Sequence, residues 1–178
     1  MTERRALLLT DLVDSTATSE ALGDAAAAGL WAHHDRVARR LLREWNGREI
    51  DKTDGMLLLF DSVAAAFGYG RAYNRALGEL DPSLVSRAGL HYGPVTLREN
   101  CAADVALGAK PLEVDGIAKP IVARVMSLAR GGQILLTADA LKAAVLDGQL
   151  RIQSHGHWSI KGIRSHSSSS RSATPVKS

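Results

Sequence analysis

Two apolar segments of this chain are each bounded by an aspartate, and together they restrict the possible folds more than any other feature. Asp11 ends the apolar run of residues 6–10, and Asp54 immediately precedes the apolar run of residues 55–60. A carboxylate at the edge of a buried strand is unfavourable unless it is paired or binds a cation. Two such carboxylates on neighbouring strands could hold a pair of metal ions, which is an arrangement used for phosphoryl and nucleotidyl chemistry.

Length and composition indicate one globular domain. The chain has 178 residues, of which 46% are hydrophobic and 23% charged, and it is long enough to build an adequate core. No apolar run approaches the roughly 20 residues of a membrane span. The first residues lack the apolar region of a signal peptide, so we expect a cytoplasmic protein without a membrane span. The single cysteine, Cys101, excludes an internal disulfide and a cysteine-based metal site.

The excess positive charge comes from the end of the chain. The formal net charge is +3, and the residues from 164 onward contain Arg164, Arg171 and Lys177 but no acid. The body of the chain is therefore neutral, and its charge gives no indication of a nucleic-acid surface. We expect no nucleic-acid partner. The serine-rich composition of residues 164–178 predicts a disordered tail.

The order of apolar runs and turn signals predicts an α+β fold. Strands are predicted at residues 5–11, 48–53, 55–60, 85–92 and 133–137, with a final strand pair or irregular hairpin over residues 150–160. Helical periodicity covers residues 16–45, with a break near Gly23, and residues 61–80, 117–130 and 138–147. Residues 96–115 have the least regular pattern. The central hairpin favours a mixed or antiparallel sheet with helices on at least one face.

Five segments of the chain resemble, in order, the catalytic domains of class III nucleotidyl cyclases, the adenylyl and guanylyl cyclases. They are LTDLVDST at 9–16, KTDG at 52–55, AGLHYG at 88–93, Gly116 with Arg124 and ARGGQIL at 129–135, and WSIKG at 158–162. Each segment alone is a weak signal, but five in register across residues 5–163 are a strong one. The resemblance implies one cyclase domain over residues 1–163, with a ferredoxin-like, palm-type mixed antiparallel sheet and flanking helices.

The resemblance also implies an activity and its cofactors. A class III cyclase converts ATP or GTP to the 3′,5′-cyclic monophosphate and pyrophosphate with two Mg²⁺ or Mn²⁺ ions. Asp11 and Asp54 would bind the metals with their carboxylates, and Leu12 with its carbonyl oxygen. Arg124 would stabilise the transition state, and Lys161 would bind the terminal phosphates. Backbone N–H groups at a helix start would face the phosphates, and these belong to Val13, Asp14, Ser15 and Thr16.

The residues that would read the base depart from the family pattern. The hairpin is one residue shorter than usual, so either Lys52 or Asp51 could occupy the position of the base-reading lysine. Glu113 stands at the partner position. A lysine with an acid is closer to the adenine-reading pair of the family than to its guanine-reading pair, which favours ATP over GTP. Lys52 and Glu113 could also be ordinary surface charges. The histidines at 33 and 34 do not form a recognised metal spacing and are predicted to lie on the surface.

The family pattern places the active site between two subunits, so the resemblance implies a homodimer, with regulatory domains that are fused or separate. One substitution argues against full activity. Pro120 stands four residues before Arg124, where the family usually has the asparagine that orients the ribose. The alternative is therefore a weak or inactive cyclase-homology domain that dimerises or binds nucleotide to regulate a partner. A palm-like polymerase or diguanylate cyclase relative is disfavoured, because the chain has no GGDEF-like run.

Overall fold

The computed structural model of the chain describes residues 2–53, 55–145 and 173–176. The strands are β1 (Thr2–Leu12), β2 (Arg48–Lys52), β3 (Gly55–Phe60), β4 (Ser86–Glu99), β5 (Leu112–Asp115), β6 (Ile134–Thr137) and β7 (Ala173–Val176). The helices are α1 (Ser15–Leu22), α2 (Asp24–Glu44), α3 (Val63–Leu80), α4 (Ala102–Ala106), α5 (Ala118–Leu128) and α6 (Ala138–Val145). None of the helices in these ranges is both long enough and apolar enough to cross a lipid bilayer.

The seven strands form one mixed sheet, which confirms the predicted α+β class. Their order is β2-β3-β1-β4-β6-β7, and β5 pairs with the far end of β4. The pair β4–β6 is parallel, and all the other pairs are antiparallel. The central strand β1 pairs over its whole length with β4 and over half of it with β3. This position agrees with its nearly continuous apolar sequence.

Alternation along the strands divides the core between the two faces of the sheet. Side chains such as Leu8 and Leu58 pack under α2, α3 and α6, in the larger of the two main clusters. Side chains such as Leu7 and Leu57 point the other way and pack with Val122 of α5. Each central strand is therefore buried on both faces, and the ends of the strands are the places where polar side chains can emerge.

The structure corrects two sequence predictions and leaves a third outside its range. The stretch 96–115 is more regular than predicted, because β4 continues through Pro94 to Glu99 and then pairs with β5. Proline has no backbone N–H to donate to a neighbouring strand. Pro94 is tolerated because β6 pairs only with residues 88–90 of β4, so no hydrogen bond to β6 is lost at position 94. The prediction of a disordered tail is wrong for Ala173–Val176, which form β7 against β6. The hairpin predicted at 150–160 lies outside the described residues.

Close packing of α5 against β4 requires a glycine at position 89, and this leads to a stability prediction. A Cβ added at Gly89 would lie 2.5 Å from the backbone nitrogen of Met126 and 2.6 Å from the carbonyl oxygen of Val122, both in α5. We expect Gly89→Ala to lower the free energy of unfolding by about 1–3 kcal/mol, because α5 must move away from the sheet. Chemical denaturation measures this change.

Gly78 provides the matched control for that substitution. It lies in α3, and a Cβ added there would meet no heavy atom within 4 Å. Gly78→Ala should therefore raise the free energy of unfolding by about 0.5–1 kcal/mol, as is usual for a glycine in a helix. If the two variants had equal stability, the close approach of α5 to β4 would be refuted.

Candidate functional site

The end of β1 places Asp11 directly opposite the start of β3. Asp11 and Gly55 are cross-strand partners, and a Cβ on Gly55 would collide with the carbonyl oxygen of Thr10. The two strands therefore approach each other so closely that only glycine fits at this point. Asp54 precedes Gly55 in the chain and lies outside the described residues, as does Lys161. Both remain predictions as ligands of metal and phosphate.

Arg87 is a polar residue of this site that sequence reasoning missed. It lies on β4 directly across from Asp11, and its Nε and one terminal nitrogen donate hydrogen bonds of 2.9 and 2.7 Å to Oδ2 of Asp11. The Asp11 side chain is 23% exposed and that of Arg87 36%. The two residues are 76 positions apart in the sequence. Only the register between β1 and β4 could have identified the pair.

The connection from β1 to α1 contains the predicted phosphate-facing backbone. Asp14 precedes α1 with a left-handed backbone (φ 54°), and its carbonyl oxygen accepts hydrogen bonds from Thr18. The N–H of Val13 donates to the carbonyl oxygen of Val85 at 2.9 Å, so the prediction that this N–H is free for a phosphate is wrong. The N–H groups of Asp14, Ser15 and Thr16 have no acceptor among the described residues, as is normal at a helix N-terminus.

Arg124 lies in the middle of α5, on the outside of the helix. It is exposed, and its guanidinium has no hydrogen bond or ion pair within the part of the chain that the structure describes. Pro120 is the third residue of the same helix. A proline fits there because the first-turn N–H groups of a helix have no partner within the helix. The substitution therefore leaves α5 intact and removes only the side-chain amide that the family usually has at this position.

Lys52 is bound to α2 by an ion pair. Its ammonium lies 2.9 Å from Oδ2 of Asp35, and the exposed fractions of the two side chains are 31% and 22%. The other carboxylate oxygen of Asp35 lies 3.0 Å from Nδ1 of His34, and Nε2 of His34 lies 2.6 Å from the hydroxyl of Tyr73 in α3. Four side chains from three elements are thus connected in one line.

His34 is buried, contrary to the prediction that it lies on the surface, with only 5% of its surface exposed. It packs edge-on against Trp31 and Tyr73. Burial is the main cause that lowers the pKa of His34 below its ordinary value, so the neutral imidazole is favoured. Since an ionised carboxylate only accepts, Nδ1–H donates to Asp35, and Nε2 accepts from the hydroxyl of Tyr73.

The other predicted base-reading residue, Glu113, lies on β5. Arg98 of β4 binds Glu113 and also Asp115, the latter at 3.1 Å. Lys52 and Glu113 therefore bind different partners, Asp35 and Arg98, and are not paired with each other. Asp51, the alternative residue for the hairpin position, points toward β5 and binds Lys110, which precedes that strand.

A cavity of about 310 Å³ lies beside the β2–β3 turn, between the sheet and the helices α1 and α2. Its lining includes Ser15 and Thr16 of α1 together with Lys52, Thr53 and Gly55 of the hairpin. The cavity therefore adjoins both the predicted phosphate-facing backbone and the residues on either side of Asp54. The network of Lys52, Asp35 and His34 forms its wall.

The chemistry of Asp11 fits a hard divalent cation that is shared with a phosphate ligand. One carboxylate oxygen of Asp11 binds Arg87, and Oδ1 has no partner among the residues described. Those residues contain no group of three or more His, Cys, Asp or Glu side chains that could enclose a metal ion. Mg²⁺ in nucleotide sites is usually held by one or two carboxylates, with substrate phosphates and water completing the octahedron. Asp11, the Leu12 carbonyl and Asp54 are the residues that would bind it.

Comparison with solved structures identifies the fold. The adenylyl cyclase CyaB from P. aeruginosa superposes with a TM-score of 0.82 at 18% identity, covering 100% of this chain and 96% of that one. The guanylyl cyclase Cya2 superposes with a TM-score of 0.80 at 20% identity, covering 99% of this chain and 92% of that one. An adenylate cyclase from Trypanosoma brucei superposes with a TM-score of 0.78 at 20% identity, covering 97% of this chain and 87% of that one. No family model matches the chain, and no curated protein matches it either.

These superpositions confirm the predicted fold, which is that of the class III adenylyl and guanylyl cyclase catalytic domains. They extend over essentially the whole of this chain and most of each solved structure. At identities of 20% and below they establish architecture and not activity. The function must therefore be argued from the residues of the site.

Proposed function

We propose that this protein is a nucleotide cyclase that converts ATP to the 3′,5′-cyclic monophosphate and pyrophosphate. The observation that carries the proposal is the cross-strand pairing of Asp11 with Gly55, the neighbour of Asp54 in the chain. This pairing supports a common metal site for the two aspartates at one edge of the sheet. The presence of both adenylyl and guanylyl cyclases among the solved neighbours supports the reaction class and leaves the base open.

The proposed reaction is an in-line displacement at the α-phosphorus of the nucleotide. The ribose 3′-oxygen forms the new bond to phosphorus, the bond to the pyrophosphate oxygen breaks, and the 3′-hydroxyl proton is lost to solvent or a nearby base. Divalent cations, when bound, lower the pKa of the hydroxyl and neutralise phosphate charge. Mg²⁺ or Mn²⁺, two per site, is the cofactor that the aspartates would bind.

The side chains of this protomer have separate roles in the proposed site. Asp11 and Asp54 would hold the cations, and Arg87, which binds Asp11 in the structure, would contact a phosphate bound beside that carboxylate. The free N–H groups at the start of α1 would bind phosphate oxygens, as helix N-termini do. Lys161 would bind the terminal phosphates.

Adenine is the proposed base, read by an acid and a lysine. Adenine presents one hydrogen-bond donor and one acceptor on its pairing edge, and a carboxylate with an ammonium matches that pattern. Lys52 and Glu113 are the residues proposed from the family resemblance. The contact between Asp51 and Lys110, next to β5, supports Asp51 as the alternative at the hairpin position.

The proposed active form is a homodimer with two shared sites. Arg124 would act on the nucleotide that the partner protomer holds, since its guanidinium points outward and has no partner in the described part of its own chain. Exposed apolar side chains at both ends of α5, Ile117 and Leu128, with 52% and 48% of their surface exposed, support a protein partner on this face. Regulatory domains, fused or separate, are part of the proposal.

A direct assay tests the proposed activity. Purified dimer is incubated with Mn²⁺ and either ATP or GTP, and the nucleotide products are separated and quantified together with pyrophosphate. We expect cyclic AMP and pyrophosphate in equal amounts, with less product from GTP. A folded dimer that makes no cyclic product from either nucleotide would refute the activity.

Pro120 favours a second candidate, a cyclase-homology domain that binds nucleotide without turnover. Its position in the first turn of α5, one helical turn before Arg124, leaves no side chain there that could orient the ribose. Calorimetry that detects ATP binding by a chain that forms no product would favour this candidate. The same observation leads to a prediction for the active enzyme.

We expect Pro120→Asn to raise kcat by at least about 10-fold, because better placement of a reacting group changes rates by orders of magnitude. The first turn of α5 accepts either residue, so the thermal unfolding temperature should change little. Lys119→Asn, which introduces the same side chain one position earlier, is the control. An equal rate for all three proteins would show that this position does not orient the ribose.

A further inference from the structure

Asp35 connects the buried interior of the helical layer with the turn between β2 and β3. It binds Lys52, the last residue of β2, at 2.9 Å, and Asp54 lies two residues further along the chain. The turn itself is closed by a 3.0 Å hydrogen bond from the N–H of Thr53 to the carbonyl oxygen of Gly55. Asp35 therefore binds the end of the strand that leads into this turn, two residues before Asp54 in the sequence.

The carboxylate of Asp35 is itself held in place from behind. His34 donates to it from Nδ1 and accepts from Tyr73 at Nε2, and both of these residues are buried. Burial alone would raise the pKa of Asp35, but the hydrogen bonds from Lys52 and His34 outweigh it and the pKa is lower than ordinary. A fixed, ionised carboxylate is a better anchor for a lysine than a surface acid that changes rotamer freely.

Several of the polar side chains that line the cavity next to this network are already paired with one another. Asp35, His34 and Lys52 satisfy one another, and Nε1–H of Trp31 donates to the hydroxyl of Ser19 at 2.9 Å. The latter contact joins α2 to α1, which begins with the phosphate-facing backbone. The same helix, α2, thus contacts both segments that the proposed site needs. The geometry favours a supporting role over a separate ligand site.

We propose that Asp35 is a positioning residue: by binding Lys52 it fixes the β2–β3 turn and so the geometry with which Asp54 binds metal. The inference rests on the proposed function, because it assigns Asp54 to a metal site. Residues behind a metal ligand commonly change metal affinity 10- to 100-fold when they are replaced. This role does not require Lys52 to contact the nucleotide.

The test compares Asp35→Asn with Glu49→Gln. Glu49 of β2 accepts two hydrogen bonds from Arg39 of α2, at 2.9 and 3.0 Å, so both variants neutralise one acid in an ion pair between the same two elements. Only the Asp35 pair lies beside the turn. Amide hydrogen exchange of Thr53 is measured in the nucleotide-free protein, and product formation is measured as a function of Mn²⁺ concentration.

We expect Asp35→Asn to speed exchange at Thr53 at least about tenfold, because a charge-assisted hydrogen bond is lost. The Mn²⁺ concentration for half-maximal activity should rise about 10-fold, with little change in kcat at saturating Mn²⁺. Asp35→Glu should recover much of the loss, and Glu49→Gln should resemble the wild type in both measurements. Thermal melting verifies that each variant is folded.

Several outcomes would overturn the inference. Exchange at Thr53 that is equal in Asp35→Asn and Glu49→Gln would show that Asp35 does not hold the turn, whether or not the protein is a cyclase. Faster exchange with an unchanged Mn²⁺ requirement would show that the turn does not position a metal ligand. If the wild type makes no cyclic product, the proposed function fails, and the inference about metal binding fails with it. The exchange data would then still report on the turn.

Discussion

Asp11→Asn should reduce kcat for cyclic nucleotide formation by at least about 1000-fold. The amide keeps the size of the side chain but removes the charge that would hold a divalent cation and orient Arg87. Loss of metal-based charge stabilisation is worth several kcal/mol, and about 4 kcal/mol corresponds to 1000-fold in rate. Initial rates with saturating Mn²⁺ and ATP measure the effect, and circular dichroism verifies that the variant is folded.

Asp61→Asn is the matched control for this substitution. Asp61 follows β3 and lies 3.2 Å from Arg5 of β1, so it also pairs with an arginine beside the same two strands, but at their opposite end. We expect its activity to stay close to that of the wild type, because its side chain is 85% exposed and its pair is a surface one. Equal rates for Asp11→Asn and the wild type would eliminate Asp11 as a metal ligand.

Mixing two inactive proteins should restore activity if the sites are shared between protomers. Arg124→Ala alone should lose about 100- to 1000-fold in kcat, as other groups that stabilise transition-state charge do. A heterodimer of Asp11→Asn and Arg124→Ala chains has one site with both changes and one site with neither. Because random pairing of equal amounts makes half of the dimers mixed, we expect about a quarter of the wild-type rate.

The control for complementation combines Asp11→Asn with Asp54→Asn chains. In the proposed site both aspartates come from one protomer, so every site in that mixture has lost one of them and no activity should return. Subunits are mixed under conditions that allow exchange, and the rate is followed at constant total protein. Failure of the Asp11→Asn and Arg124→Ala mixture to exceed its separate components would contradict a shared site.

Local sequence patterns predicted most of the fold. The apolar runs identified β1 and β3, the glycine at position 23 marked the break between α1 and α2, and Ser62 caps α3 through a 3.1 Å bond to the Ala65 N–H. The extension of β4 was missed because Pro94 is a local stop signal, which pairing with β1 overrides. Such pairing depends on residues far apart in the sequence, which no local window contains.

Only the site residues that lie in recognisable sequence motifs could be predicted. Asp11 was identified by its position at the end of an apolar strand, but its partner Arg87 depends on the register between β1 and β4. His34 looked like a surface residue beside another histidine, and its burial results from packing against Tyr73 of α3, 39 residues away. Asp35 gave no signal in the sequence that distinguished it from the other charges of α2.

The most direct test of the central claim is a crystal structure of the dimer with Mn²⁺ and 3′-deoxy-ATP, which lacks the attacking hydroxyl. Anomalous scattering from manganese locates the ions independently of the protein. We predict manganese bound by the carboxylates of both Asp11 and Asp54 and by the triphosphate, at a cleft between protomers that Arg124 of the second protomer enters. Aspartates that point apart, or manganese and nucleotide bound elsewhere, would contradict the account.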